Sequence, residues 1–268
     1  MNLMINRNIK MITTALAAVL SLSLSGCDSK PSVNSAGKTF DGTQVEEIIL
    51  NTDGQNIEIR PAGSSEIKVS TKGGKEAIAE LNGSVLDVNY GSSSSLVNFK
   101  TDTLQVELPD KQFRRISLTA SAGQIKGEDL KADELVFIGD SGRLEIKGFE
   151  GNHIQGKVAS GDIELTGITG DFHIENDTGN VKVSHNGQLG QGSSIRTGTG
   201  KVEMAFENAP GALEIDASTE SGRIESSLTS ASEVNAAGAG QELKTKIGSA
   251  ADAPNLTIKS SSGSIYIK

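Results

Sequence analysis

The second half of the chain alternates apolar and polar residues in short bursts, each opened by a glycine. The clearest read Ser141-Gly142-Arg143-Leu144-Glu145-Ile146, Ser160-Gly161-Asp162-Ile163-Glu164-Leu165, Thr178-Gly179-Asn180-Val181-Lys182-Val183 and Thr199-Gly200-Lys201-Val202-Glu203-Met204. Ser221-Gly222-Arg223-Ile224 and Ser262-Gly263-Ser264-Ile265 continue the series. Residues two and four beyond each glycine share one strand face, because side chains alternate along a strand. A second apolar pair lies upstream of the next glycine: Leu135 and Phe137, Phe172 and Ile174, Leu213 and Ile215, Leu256 and Ile258. Each period therefore predicts two short strands, and a period of roughly twenty residues predicts a solenoid.

With Gly123, Gly142, Gly161, Gly179, Gly200, Gly222, Gly240 and Gly263 as markers, the spacing ranges from 18 residues (Gly161 to Gly179) to 23 (Gly240 to Gly263). Such drift predicts corner loops of variable length. Stacked in chain order at about 4.8 Å, the coils would rise about 40 Å around one aliphatic core. The Gly240 copy is degenerate, since its apolar Leu243 comes one position late. Residues 148–151 and 167–170 read as equivalent corners. The Ser or Thr before six of these eight markers (Gly142, Gly161, Gly179, Gly200, Gly222 and Gly263) predicts a corner ladder of hydroxyls that bond to each other or cap backbone groups. This pattern is structural, because a nucleophile needs one distinct hydroxyl beside a base.

Residues 44–110 form a less regular β portion, in which Ile57 and Ile59, Ile67 and Val69, Leu86 and Val88, and Leu104 and Val106 alternate with polar residues. Gly74 to Leu81 could support a helical turn, and Gly91 to Ser95 reads as a loop. The expected fold class is all-β: a single-chain β-solenoid over 111–268, preceded by this β-rich portion.

Residues 1–26 form a targeting segment, with Arg7 and Lys10 followed by a short apolar run from Met11 to Leu24. That run is shorter than the about twenty apolar residues a membrane span needs. Leu24-Ser25-Gly26-Cys27 resembles the lipobox of bacterial lipoproteins. The resemblance implies cleavage before Cys27, acylation of its thiol and amino group, and anchoring by two or three chains. In the same resemblance Asp28 matches an inner-membrane retention signal, with the outer membrane as the alternative. Residues 27–43 then read as a flexible tether.

Composition narrows the function classes. The formal charge of -9 becomes -11 once Arg7 and Lys10 leave with the leader. An acidic domain lacks the basic footprint that nucleic acid or anionic headgroups require. Aromatic residues make up 3% and Trp is absent, so the core must come from Ile, Val and Leu in many thin layers. Cys27 is the single cysteine, which excludes a disulfide, a thiol nucleophile or a cysteine metal site in the mature domain.

Val106-Glu107-Leu108-Pro109, the segment Ile116 to Gly123 and the Ser-Gly repeats that follow resemble the bacterial β-strand-repeat domain of unknown function of the putative-adhesin type. The resemblance covers roughly Val45 to Lys268. It implies an extracytoplasmic, solenoid-like, non-catalytic domain without cofactors.

Candidate chemistry is sparse. His153 and His173 face outward from consecutive coils as diagonal neighbours about 7 to 8 Å apart at best. His185 reads as a solvent-facing loop residue beside Asn186-Gly187. Neither arrangement supplies the three or four converging ligands of a zinc site. Asp140 and Asp177 share a register, but Ala159 lies in the coil between them, and turn preference accounts for these residues and Asp162. The terminal strand Ser264 to Lys268 reads as an uncovered edge, available for self-association unless Lys259 and Lys268 act as gatekeepers. The expectation is a lipid-anchored, non-enzymatic envelope protein for adhesion or protein scaffolding, with an envelope protein or surface partner. The alternative is a carbohydrate-binding or carbohydrate-processing β-helix.

Overall fold

Two apolar residues per strand cannot build a core alone, so strands of this pattern become stable only by stacking. A computed structural model describes residues 37–73, 76–91, 102–228 and 234–268. Cys27, Asp28 and the leader lie outside the described residues. The fold is all-β and solenoid-like, and each coil has two legs.

The first legs lie side by side and parallel in the order Val85–Tyr90, Glu47–Thr52, Phe113–Ala120, 132–139, 153–160, Asp171–Thr178, Gly192–Thr199, Asn255–Ser262 and Leu213–Ser221. The second legs follow the same order, from Thr103–Leu108 and Asn56–Pro61 to Ile265–Ile267 and Ile224–Ser226. The predicted apolar pairs fill the space between them: Leu135, Phe137, Phe172, Ile174, Leu213, Ile215, Leu256 and Ile258 are all buried.

Spatial order departs from chain order at both ends. The coil containing Asn255–Ser262 and Ile265–Ile267 is inserted between the coils of 192–206 and 213–226. At the other end, Val85–Tyr90 lies outside Glu47–Thr52, which in turn pairs with Phe113–Ala120. The boundary near residue 110 therefore marks a change in sequence regularity, with the sheets running through it.

Antiparallel strands cover both legs at one end and the first leg at the other. Ile78–Asn82 covers Val85–Tyr90, and Glu66–Lys72 covers Thr103–Leu108 and is itself paired with Lys38–Asp41. At the far end, Gly240–Ile247 lies antiparallel on Leu213–Ser221, with Val234–Ala237 outside it. Such pairing covers edges that would otherwise template aggregation.

Several expectations change accordingly. The terminal strand is not an open edge, because Ile265 pairs with Val202 on one side and Ile224 on the other. Gly240 marks no coil but starts a strand of the capping hairpin, which explains its broken pattern. Within the stretch expected to support a helical turn, Ile78–Asn82 is a strand. The tether does not extend to residue 43, since Lys38–Asp41 is paired and Gly42–Gln44 forms a single 3-10 turn.

The marker glycines form a spine along the corner between legs. Gly142, Gly161, Gly179 and Gly200 have φ of 124°, 138°, 131° and 137°, a region that L side chains rarely adopt. A Cβ on Gly161 would stand 1.7 Å from the Gly142 carbonyl oxygen, and one on Gly263 would stand 1.8 Å from that of Gly200. Close backbone stacking, more than the expected hydroxyl ladder, dictates this corner. Of the marker hydroxyls, Ser141 Oγ donates to the Ser121 carbonyl at 3.2 Å.

Candidate functional site

Alternation sends every second residue of a leg outward, and the parallel register aligns these residues into rows. On the second legs the row carries ion pairs: Glu164 accepts from Lys182 Nζ at 2.8 Å and from Arg143 Nη2 at 2.9 Å. The Lys182 ammonium, then the Arg143 guanidinium, hold the Glu164 carboxyl below the usual carboxylate range against the opposing effect of burial. Exposed pairs of this kind contribute little individually, so the row is a neutralised, ordered surface.

The first legs differ. Four residues before successive markers stand Glu175, Arg196, Lys259 and Ser218, brought side by side in that order. Glu175 is engaged by Lys157 at 3.3 Å. Arg196 and Lys259 directly oppose each other, and neither side chain forms an ion pair or hydrogen bond with another described residue. Two residues further on, Asp177, Gly198, Ser261 and Glu220 occupy the next row, with small residues in its middle. Together with the capping hairpin, these rows line an open hollow of about 630 Å³. Beneath it Asn176, Thr197, Ser260 and Thr219 form a buried polar column. Asn176 Nδ2 donates to Gly161 O at 3.0 Å and Thr219 Oγ1 to Gly263 O at 2.9 Å, whereas Thr197 Oγ1 and Ser260 Oγ have no partner.

His153 and His173 also meet on the first legs. They are diagonal, as expected, since His153 pairs with Asp171 and Gln155 with His173. Their rings are nevertheless closer than expected, 5.0 Å between centroids at 65°. Burial first, then the charge of His173, push the His153 pKa below the ordinary imidazole value, while Glu134 and Asp171 act in the opposite direction. A histidine whose folded-state pKa is depressed contributes stability above its unfolded value, near pH 6.5, and loses it as pH falls through the folded value. Thermal midpoints should therefore fall on acidification from pH 7.5 to about pH 5.5. An NMR titration of His173→Gln should move the His153 midpoint upward, and an unchanged midpoint would leave burial as the whole cause.

Residues 45–268 match the family described as Toastrack DUF4097. The chain belongs to this family. No curated protein matches this Toastrack chain. Among solved structures, it is similar to a putative cell adhesion protein from Clostridium sporogenes ATCC 15579, at 14% identity and TM-score 0.35, covering 88% of this chain and 98% of that one. It is also similar to a putative adhesin from Bacteroides fragilis NCTC 9343, at 9% identity and TM-score 0.44, covering 89% and 98%. A third, a putative adhesin from Parabacteroides merdae ATCC 43184, shows 10% identity and TM-score 0.30, covering 87% and 95%.

Within the Toastrack coils, His185 departs from the loop expectation. It ends the strand Val181–His185, fully buried, and pairs in register with Ile168 and Phe206. Its Nε2 bonds to the Gly170 carbonyl at 2.8 Å, which assigns the proton to that nitrogen and leaves the buried Nδ1 without a partner. The signal was present in the sequence, because Phe149, Ile168, His185 and Phe206 lie six or seven residues beyond their markers. Asp162 lies within the strand His153–Ile168 and bridges to the next coil, accepting from Asn180 N and Nδ2 at 2.9 and 3.1 Å. Asp140 and Asp177 remain two coils apart in register, separated by Ala159. Among the described residues no group of three or more His, Cys, Asp or Glu is placed to hold a metal ion, and no helix is long and apolar enough to cross a membrane.

Proposed function

We propose that this chain is a lipid-anchored, non-catalytic protein of the bacterial cell envelope, which presents the sides of its coil stack to an envelope or surface partner for adhesion or scaffolding. The reading rests on one observation: antiparallel strands cover both legs at one end of the stack and the first leg at the other. Such cover opposes end-to-end growth into a filament and leaves the long sides as the surface for contact. Neutralised ion-pair rows such as Arg143–Glu164–Lys182 support the same reading, since they keep a side face ordered and soluble without assembling a reactive group.

Anchoring is assigned to Cys27 and inner-membrane retention to Asp28, on the lipobox resemblance. Palmitate labelling followed by membrane fractionation tests it. The parent chain should be labelled and sediment with membranes, whereas Cys27→Ser should be unlabelled and soluble. Labelling of the variant, or its full retention on membranes, would refute lipid anchoring.

A further inference from the structure

We infer that the hollow at the hairpin end of the first legs is a binding site for an acidic saccharide of the uronate class. This goes beyond the anchoring and presentation proposed above and does not depend on Cys27.

Charge arrangement carries the inference. In a strand pair, like charges placed directly opposite destabilise each other, so a folded protein normally separates or neutralises them. Here Arg196 and Lys259 are opposed and neither side chain is ion-paired among the described residues, although Glu175 stands opposite Arg196 on its other flank, in a chain whose overall charge is -9. The neighbouring carboxylates do not serve them, because Glu175 is engaged by Lys157 and Glu242 by Lys244 at 2.6 Å. Two other carboxylates of the hollow, Asp177 and Glu220, also lack ion pairs among the described residues and stand at opposite ends of the adjacent row. The unpaired groups are thus two central cations flanked by two anions.

This pattern specifies complementary chemistry. A single carboxylate fits between the guanidinium and the ammonium, forming charge-assisted hydrogen bonds. Flanking carboxylates accept hydrogen bonds but repel further negative charge, so the groups around that carboxylate must be neutral donors. Ring hydroxyls of a sugar acid meet this requirement, whereas a phosphodiester chain or polyacidic peptide would place negative charge against Asp177 and Glu220. The small Gly198 and Ser261 leave space between those two acids, and a hollow of about 630 Å³ is within the usual range for small-ligand sites.

Isothermal titration of the full chain with methyl galacturonoside, a sugar acid with a single carboxylate, tests this. The expected result is saturable binding that weakens at high salt. Its methyl ester, which keeps the hydroxyls and loses the charge, should bind about ten-fold more weakly or worse. Acetate, which keeps the charge and loses the hydroxyls, should behave likewise. Arg196→Gln combined with Lys259→Gln should abolish binding while melting at or above the parent temperature, because a repulsion is removed. Asp177→Asn combined with Glu220→Gln should weaken the sugar acid but not abolish its binding. Absence of saturable binding, equal binding of the ester or of acetate, or a cation-pair variant that melts well below the parent would each overturn the inference.

Discussion

Replacing Gly161 with alanine should destabilise the domain by about 4 kcal/mol or more, read as a large fall in urea or thermal midpoint. Two independent costs coincide at this residue. Its φ of 138° lies in a region that a side chain occupies only under strain. The new Cβ would also stand 1.7 Å from the Gly142 carbonyl oxygen and 2.8 Å from its carbon. Those atoms are backbone and cannot rotate away. Nor can the neighbouring coil retreat, because a Cβ on Gly142 would already be 1.9 Å from the Gly123 carbonyl, and on Gly179 it would be 2.0 Å from that of Gly161. The close approach therefore propagates from coil to coil. Gly187→Ala separates the two costs, since φ there is 112° with nothing within 4 Å. It should lose only the conformational part, about 1–2 kcal/mol. Gly63→Ala, at a site with neither feature, should be close to neutral. If Gly161→Ala melts with Gly187→Ala, backbone stacking does not explain the repeat.

These substitutions also show how far the sequence could be read. Period, leg count and inward pairs follow from local alternation, and residues such as Phe172, Ile174, Val181 and Val183 are buried as that pattern requires. Order along the stack is not a local property. Nothing near Gly263 specifies that its coil lies between those of Gly200 and Gly222, because all three carry the same aliphatic pattern and would stack acceptably in any order. The hollow depended on that order. Each of Glu175, Arg196, Ser218 and Lys259 could be placed four residues before its marker, but chain order would put Arg196 beside Ser218, and the cation pair arises only when Lys259 comes between them. His185 is hidden for a different reason: a polar residue followed by Asn-Gly favours a turn, while the buried corner column it completes outweighs that local signal.

Removing residues 249–268 should unfold the described domain, although the loss is confined to the chain's end. In a solenoid stacked in chain order, losing the last coil removes one interface and the rest survives. Here the terminal strands have neighbours on both sides, Ile195 and Ala217 opposite Ile258, and Val202 and Ile224 opposite Ile265. Deletion would also remove four buried aliphatics, Leu256, Ile258, Ile265 and Ile267. At about 1.5–3 kcal/mol each, their burial is comparable with the about 5–15 kcal/mol that stabilises a whole domain. The coil at 213–226 would lose its parallel partner, leaving its capping hairpin attached to an isolated strand. Hydrogen exchange offers a test without truncation: the amide of Ile258, ten residues before Lys268, should exchange as slowly as that of Ile174 in the middle of the stack. Fast exchange of Ile258, or a truncated chain that retains the parent's melting temperature, would disprove the inserted arrangement. The same topology constrains folding, because strands at 213–226 cannot pair with their parallel neighbour until residues 255–267 have been made. Closure at this end therefore waits for residues 255–267, and a truncated chain leaves both flanking coils exposing apolar faces that the missing strands would have covered.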